Sequence, residues 1–281
     1  MDTVLWVRGL CKRYPHFSLD HVGFQVGRGQ IMGFIGRNGA GKTTTLKSLL
    51  NYVHPDEGEI RFFGKPFPQE ESEIKSRIGF VSGGVDYYPR KKLEVITRVT
   101  RRFYPSWDQA AYQRYRQLFR LEESKTPSEL SAGMKVKYNL LLALSHRAEL
   151  LILDEPTSGL DPVSRDELLD VFLALAREGV SILFSTHITS DLDKCADSIT
   201  YIHNGRILAS QEMDAFVGAY RAVELEEDED PPGGREKLIG LKPAKRGYTA
   251  ILNAGDAPGF PGSHPTDLET IMIHLEKEND R

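Results

Sequence analysis

The 281-residue sequence predicts a layered α/β fold organised around a phosphate-binding loop. Three observations carry that expectation. Gly36–Thr43 reads G-x-x-x-x-G-K-T and lies between an apolar run, Gln30–Ile35, and a helix-forming run, Thr43–Tyr52. A second apolar run, Leu150–Leu153, ends on two acids, Asp154 and Glu155. Between and beyond them, short apolar strands alternate with longer segments of helical period, the pattern of a mostly parallel sheet covered by helices.

Taken in order, Val4–Val7, Ser18–Val26 and Glu59–Phe63 are expected as strands around the loop strand, with Phe62-Phe63-Gly64-Lys65 as a hairpin corner. Ile78–Val81 is a further short strand. From Leu93 to His146 the period is helical, with Ile96, Val99 and Phe103 on one face and Arg98, Arg101 and Arg102 on the other. The strands Leu150–Leu153, Ser181–Phe184 and Ser198–Ile202 follow, the first two separated by a helix over Pro162–Arg177. Asn204-Gly205 is a two-residue hairpin turn. The acidic run Glu224–Asp230 and Pro231-Pro232-Gly233-Gly234 read as a linker. Beyond it a strand over Gly247–Leu252 and an amphipathic helix over Thr266–Glu278 predict a small appended domain. The expected organisation is therefore residues 1–220 as the main domain with a helical insertion at about 85–148, a linker at 221–235, and an appendage at 236–281.

Composition narrows the function. A net charge of −4 gives no global attraction to nucleic acid or to an anionic membrane. Cys11 and Cys195 lack metal-ligand spacing and read as reduced thiols. No apolar stretch is long enough to span a bilayer, and the start MDTVLWVRGL gives no export signal, so a cytoplasmic location is expected. Tyr87–Trp107 carries six basic residues and one acid among its aromatics; it reads as a solvated helix face with an aromatic contact for a partner, and nucleic acid is not expected to bind.

The chemistry follows from the two motifs. Backbone N–H groups of Gly36, Asn38, Gly39, Ala40 and Gly41 converge on the turn, and the helix behind them presents its positive end to an anion. Lys42 would reach the β- and γ-phosphates and the Thr43 hydroxyl would bind Mg²⁺, with Thr44 beside it. A buried strand ending on acids places Asp154 at the carboxyl edge of the sheet to hold the metal, and Glu155 to deprotonate an attacking water.

With these residues in view, the chain resembles the nucleotide-binding ATPases of ABC transporters over roughly residues 3–220. Leu130-Ser131-Ala132-Gly133-Met134 resembles the family signature, Ser158-Gly159-Leu160-Asp161 its D-loop, and Ser185-Thr186-His187 its switch histidine. Tyr14 matches the aromatic residue that stacks on adenine. The resemblance implies a β-subdomain, a RecA-like core and a helical subdomain. It also implies ATP and Mg²⁺ as cofactors and a head-to-tail dimer, of two copies or with a related ATPase, in which Ser131 and Gly133 serve the opposite site; Asp161, of the D-loop, is expected among the nucleotide-binding residues. Partners would be polytopic permease subunits, holding the chain on the inner face of the membrane. Ala132 departs from the signature, and Gly83 stands where the family commonly has a glutamine, leaving Asp86 or Ser82 as candidates to replace it. FYPSWD, LSAGMKVK and FSTHITSDLDKCADSITYIHNGRI resemble the exporter branch of antimicrobial-peptide resistance and toxin-export ATPases. The alternative is a soluble ABC ATPase without a membrane partner.

Overall fold

A computed structural model describes residues 2–82, 88–226 and 234–279. Its centre is a six-stranded sheet in the order β10-β9-β3-β8-β7-β6. The strands are β3 (Ile31–Ile35), β6 (Ile78–Ser82), β7 (Leu150–Asp154), β8 (Ser181–Thr186), β9 (Ser198–His203) and β10 (Arg206–Glu212). All neighbours run parallel except β9 and β10, joined through the Asn204-Gly205 turn, where both residues have positive φ as a tight hairpin requires.

Side-chain alternation divides the core. One face of the central strands, with Met32, Phe34, Leu150, Ile152 and Leu183, packs against an antiparallel sheet. That sheet has the order β2-β1-β4-β5, formed by β1 (Thr3–Tyr14), β2 (Phe17–Gly27), β4 (Glu57–Phe62) and β5 (Lys65–Pro66). The helices α1 (Lys42–Leu49) and α2 (Glu71–Ser76) add Leu46, Leu49 and Ile74 to the same core. The other face, with Ile31, Ile35, Leu151, Leu153, Ile182 and Phe184, is covered by helices. These are α3 (Leu93–Thr100), α4 (Gln109–Leu118), α5 (Ala132–Ser145), α6 (Pro162–Arg177) and α7 (Thr189–Cys195), followed by α8 (Met213–Gly218).

The C-terminal part contains the expected strand and helix, but the first residues of the expected linker belong to a strand. Tyr220–Leu225 is a strand, β11, at the interior of a third sheet ordered β12-β13-β11-β14. Its partners are β12 (Ile239–Pro243), β13 (Tyr248–Asn253) and β14 (His264–Pro265), and α9 (Leu268–Asn279) packs on β12. Residues 221–225 are therefore sheet, and the stretch 227–233 lies outside the described residues. Val223, Leu225, Ala250, Leu252 and Phe260 form a small core of their own. Ile251, Leu268, Ile271 and Met272 instead join the main core beside Ile199, Met213 and Phe216. The period-two alternation of β13 splits its side chains between the two cores, fusing the C-terminal sheet to the body of the molecule.

Candidate active site

β3 delivers the chain into the glycine loop, and α1 begins at Lys42 with Gly41 at its N-cap in the left-handed region, φ 112°. A Cβ on Gly41 would lie 2.8 Å from both Leu19 and Phe17, and one on Gly36 would lie 2.3 Å from the Ile202 carbonyl oxygen, so neither position admits a side chain. Lys42 is buried; its Nζ donates to the Gly36 carbonyl at 2.7 Å and lies 3.2 Å from Glu155 Oε1.

The two acids sit where β7 ends beside β8. Asp154 Oδ1 accepts from Thr43 Oγ1 at 3.1 Å and from Ser185 Oγ at 2.7 Å. Glu155 adopts φ 51°, an uncommon conformation for a side-chain-bearing residue, while its N–H donates to Ser185. That turn sends the carboxylate back over the loop, with Oε1 facing Lys42 and Oε2 2.8 Å from His187 Nδ1. A carboxylate only accepts, so Nδ1 carries the proton in this contact. Behind this group, the Thr157 hydroxyl donates to buried Asp191 at 2.6 Å, and burial raises the Asp191 pKa.

A cavity of about 340 Å³ opens over the loop, lined by Asn38, Gly39, Gly41, Lys42, Thr43 and Thr44, and closed by Glu155, Ser158 and His187. Gly36 and buried Ala40 form its frame. Of the two aromatics at the entrance, Phe17 lines the cavity; Tyr14 stands behind it, ring centroids 6.5 Å apart, and is 43% exposed. Ser131, Gly133 and Asp161 are absent from that lining. Ser131 caps α5 by accepting from Met134 N–H, and Asp161 caps α6 through Val163 and Ser164, whose hydrogen bonds lower its pKa. Gly83 and Asp86 lie outside the described residues; Ser82 is the last residue of β6, paired with Asp154 across the sheet. Sequence reasoning gave Ser185 no role beyond its place in the histidine motif and passed over Phe17 and Asp191. The strand-end position of Ser185, beside a strand ending in acids, was the available signal for the first.

A second surface lies on the helical side. Phe103 and Val99, placed by the helical period on one face with Ile96, are 74% and 46% exposed. They line a groove of about 370 Å³ with Tyr88, Tyr104, Leu142 and His146. Tyr104 stacks on His146 at 3.9 Å between centroids, and burial pushes the His146 pKa down to about 4. Among the described residues, no helix is long and apolar enough to cross a membrane.

Comparison with known proteins agrees with this geometry. The ABC transporter family model matches residues 19–158. The bacitracin transport ATP-binding protein BcrA of Bacillus licheniformis is 35% identical over 218 residues, covering 76% of this chain and 71% of that protein. The Nod factor export ATP-binding protein I of Burkholderia lata is 34% identical, covering 75% and 71% respectively. A solved structure described as the ATP-binding subunit of an ABC transporter superimposes with TM-score 0.69 at 31% identity, covering 76% of this chain and 91% of its own. A glycine loop, a strand-end carboxylate pair and a histidine reaching between them define a P-loop ATPase, and the chain belongs to the ABC transporter family. Within it, this is an ATP-binding, ATP-hydrolysing subunit of the exporter branch, and ATPases of this kind work as dimers with membrane permeases.

Proposed function

We propose that this subunit closes head to tail with a second copy of itself, or with a related ATPase, around two ATP molecules and thereby drives a separate polytopic permease that exports peptides or antimicrobials. The observation that carries the catalytic assignment is the Glu155 carboxylate, held by a left-handed backbone between Lys42 and His187. In this reading Lys42 stabilises negative charge on the β- and γ-phosphates, Glu155 orients the water and accepts its proton, and His187 fixes Glu155 and reaches the γ-phosphate. Thr43 Oγ1 and Asp154 Oδ1, two hard oxygens 3.1 Å apart at the loop, suit Mg²⁺ and would hold it. The chemistry that ion supplies is neutralisation of the phosphate charge. Ser131 and Gly133, at the N-terminus of α5 and away from the chain's own cavity, would serve the ATP of the opposite subunit. The exposed aromatics of the groove, Tyr88 and Phe103, suit a cytoplasmic segment of the permease, which would hold the subunit at the inner face of the membrane. The peptide cargo rests on similarity to the bacitracin transport protein.

The test is Glu155→Gln in the purified chain. Turnover is expected to fall about 10²-fold or more with ATP binding retained, and ATP is expected to accumulate in a closed dimer. Turnover within about twofold of the parent would remove Glu155 from the role.

A further inference from the structure

The C-terminal unit grips the frame of the phosphate loop through one buried carboxylate. Glu276, on α9, is 8% exposed. Its Oε1 accepts from the Tyr201 hydroxyl at 2.8 Å, and its Oε2 accepts from His203 Nδ1 at 3.0 Å. Asn204 Nδ2 stands 2.9 Å from the other ring nitrogen of His203 and donates to it, so both neighbours select the tautomer with the proton on Nδ1. One residue further, the Gly205 N–H donates to the Ala40 carbonyl inside the glycine loop at 2.9 Å. Tyr201 also pairs with Ile35, the residue before the loop, and the Ile202 carbonyl occupies the space a Cβ on Gly36 would need. A second branch is shorter: Glu276 Oε2 lies 3.9 Å from the Arg37 guanidinium. Arg37 and His187 line both the phosphate cavity and a cleft of about 690 Å³ between the loop and α9.

We propose that Glu276 is a positioning residue for the phosphate loop, through which the C-terminal sheet and α9 set the affinity for ATP. The relay runs from the carboxylate through His203 and the Asn204-Gly205 turn to Ala40, with Arg37 as its direct arm. Removing the carboxylate frees the end of β9 on one side, and the loop it supports loses its fixed spacing. Glu276 touches no reacting atom, so its effect falls on nucleotide binding rather than on the chemical step. The proposal rests on reading Gly36–Thr43 as the ATP-binding loop.

The experiment measures ATP KM, kcat and melting temperature of the full chain for Glu276→Ala and Glu276→Gln, with Lys42→Ala as the reference for the loop. Glu276→Ala is expected to raise KM about fivefold or more with kcat within about twofold. Glu276→Gln, which keeps an acceptor for Tyr201, is expected to fall between it and the parent. A merely structural role would reduce the folded fraction and so the maximal rate, leaving KM where it was; an unchanged KM in Glu276→Ala therefore overturns the proposal whatever the rate. Should Glu276→Ala not fold, His203→Asn cuts the same relay at its middle: a raised KM supports the proposal and an unchanged one overturns it. Lys42→Ala retaining full affinity for ATP would mark failure of the loop assignment itself, and the proposal would fall with it.

Discussion

The backbone of Glu155 shows how a single residue converts position into chemistry. A side-chain-bearing residue at φ 51° costs on the order of 1 kcal/mol or more, and the β7–β8 pairing with the Ser185 contacts maintains it. The carboxylate thereby meets Lys42 and His187 at once. At the same scale, the entrance aromatics divide their roles. Phe17 faces the cavity and Tyr14 backs it, so Phe17→Ala is expected to weaken ATP binding about fivefold, with a smaller effect for Tyr14→Ala. Titration of a fluorescent ATP analogue checks the order; a larger loss for Tyr14 would favour that residue, as the sequence expects, for the adenine platform.

Among the elements, α3 and α5 build a surface with a pH signature. His146 follows α5, is buried under Tyr104, and donates from Nδ1 to the Ser76 carbonyl. Folding lowers its pKa from 6.5 to about 4, so its neutral form favours the folded state. That contribution is complete above pH about 6.5 and is lost as the pH falls towards 4, because the unfolded chain takes up the proton first. Its full size is on the order of 3 kcal/mol. Melting curves between pH 4 and 7 should therefore show a shallower decline for His146→Gln than for the parent; parallel curves would exclude the imidazole as the cause. Phe103 belongs to the same surface, and its 74% exposure means that it contributes little to the fold. Phe103→Asp is expected to leave ATPase activity and melting temperature nearly unchanged while lowering co-purification with the permease about tenfold, the scale of one buried aromatic anchor. Equal recovery of the permease would move the docking surface elsewhere.

For the whole molecule, the fused cores make the C-terminal unit part of the main fold. Ending the chain after Tyr220 would strip Leu268, Ile271, Met272 and Ile251 from the main core and uncover Met213 and Phe216. Each buried apolar side chain contributes roughly 2 kcal/mol, so the loss of these four is expected to lower the melting temperature by roughly 15 °C or more, with weaker ATP binding through loss of Glu276. A truncated chain melting within about 2 °C of the parent would show that the unit is separable. The sequence-based division at residue 220 implies such a separable appendage, and the truncation decides between the two.

The glycine loop, the acids at the end of β7 and the switch histidine were legible because their chemistry depends on fixed local spacing: a loop that must turn tightly, a strand that must end at a sheet edge, a polar residue at the next strand's end. The order of strands was legible for the same reason, since apolar runs bounded by turn residues recur along the chain. Much else had no local signal. β11 is a strand because β13, more than twenty residues later, supplies its hydrogen bonds, and its acidic neighbours hid it. The outward turn of Val99 and Phe103 depends on which face of α3 the rest of the helical layer leaves uncovered, a question of packing that a helical period alone does not answer. The sequence by itself determined the nucleotide chemistry and the α/β order. Only the tertiary structure decided that Glu276 meets His203 and Tyr201, because contacts between residues more than seventy positions apart are set by where α9 lies once it packs on β12, β13 and α7.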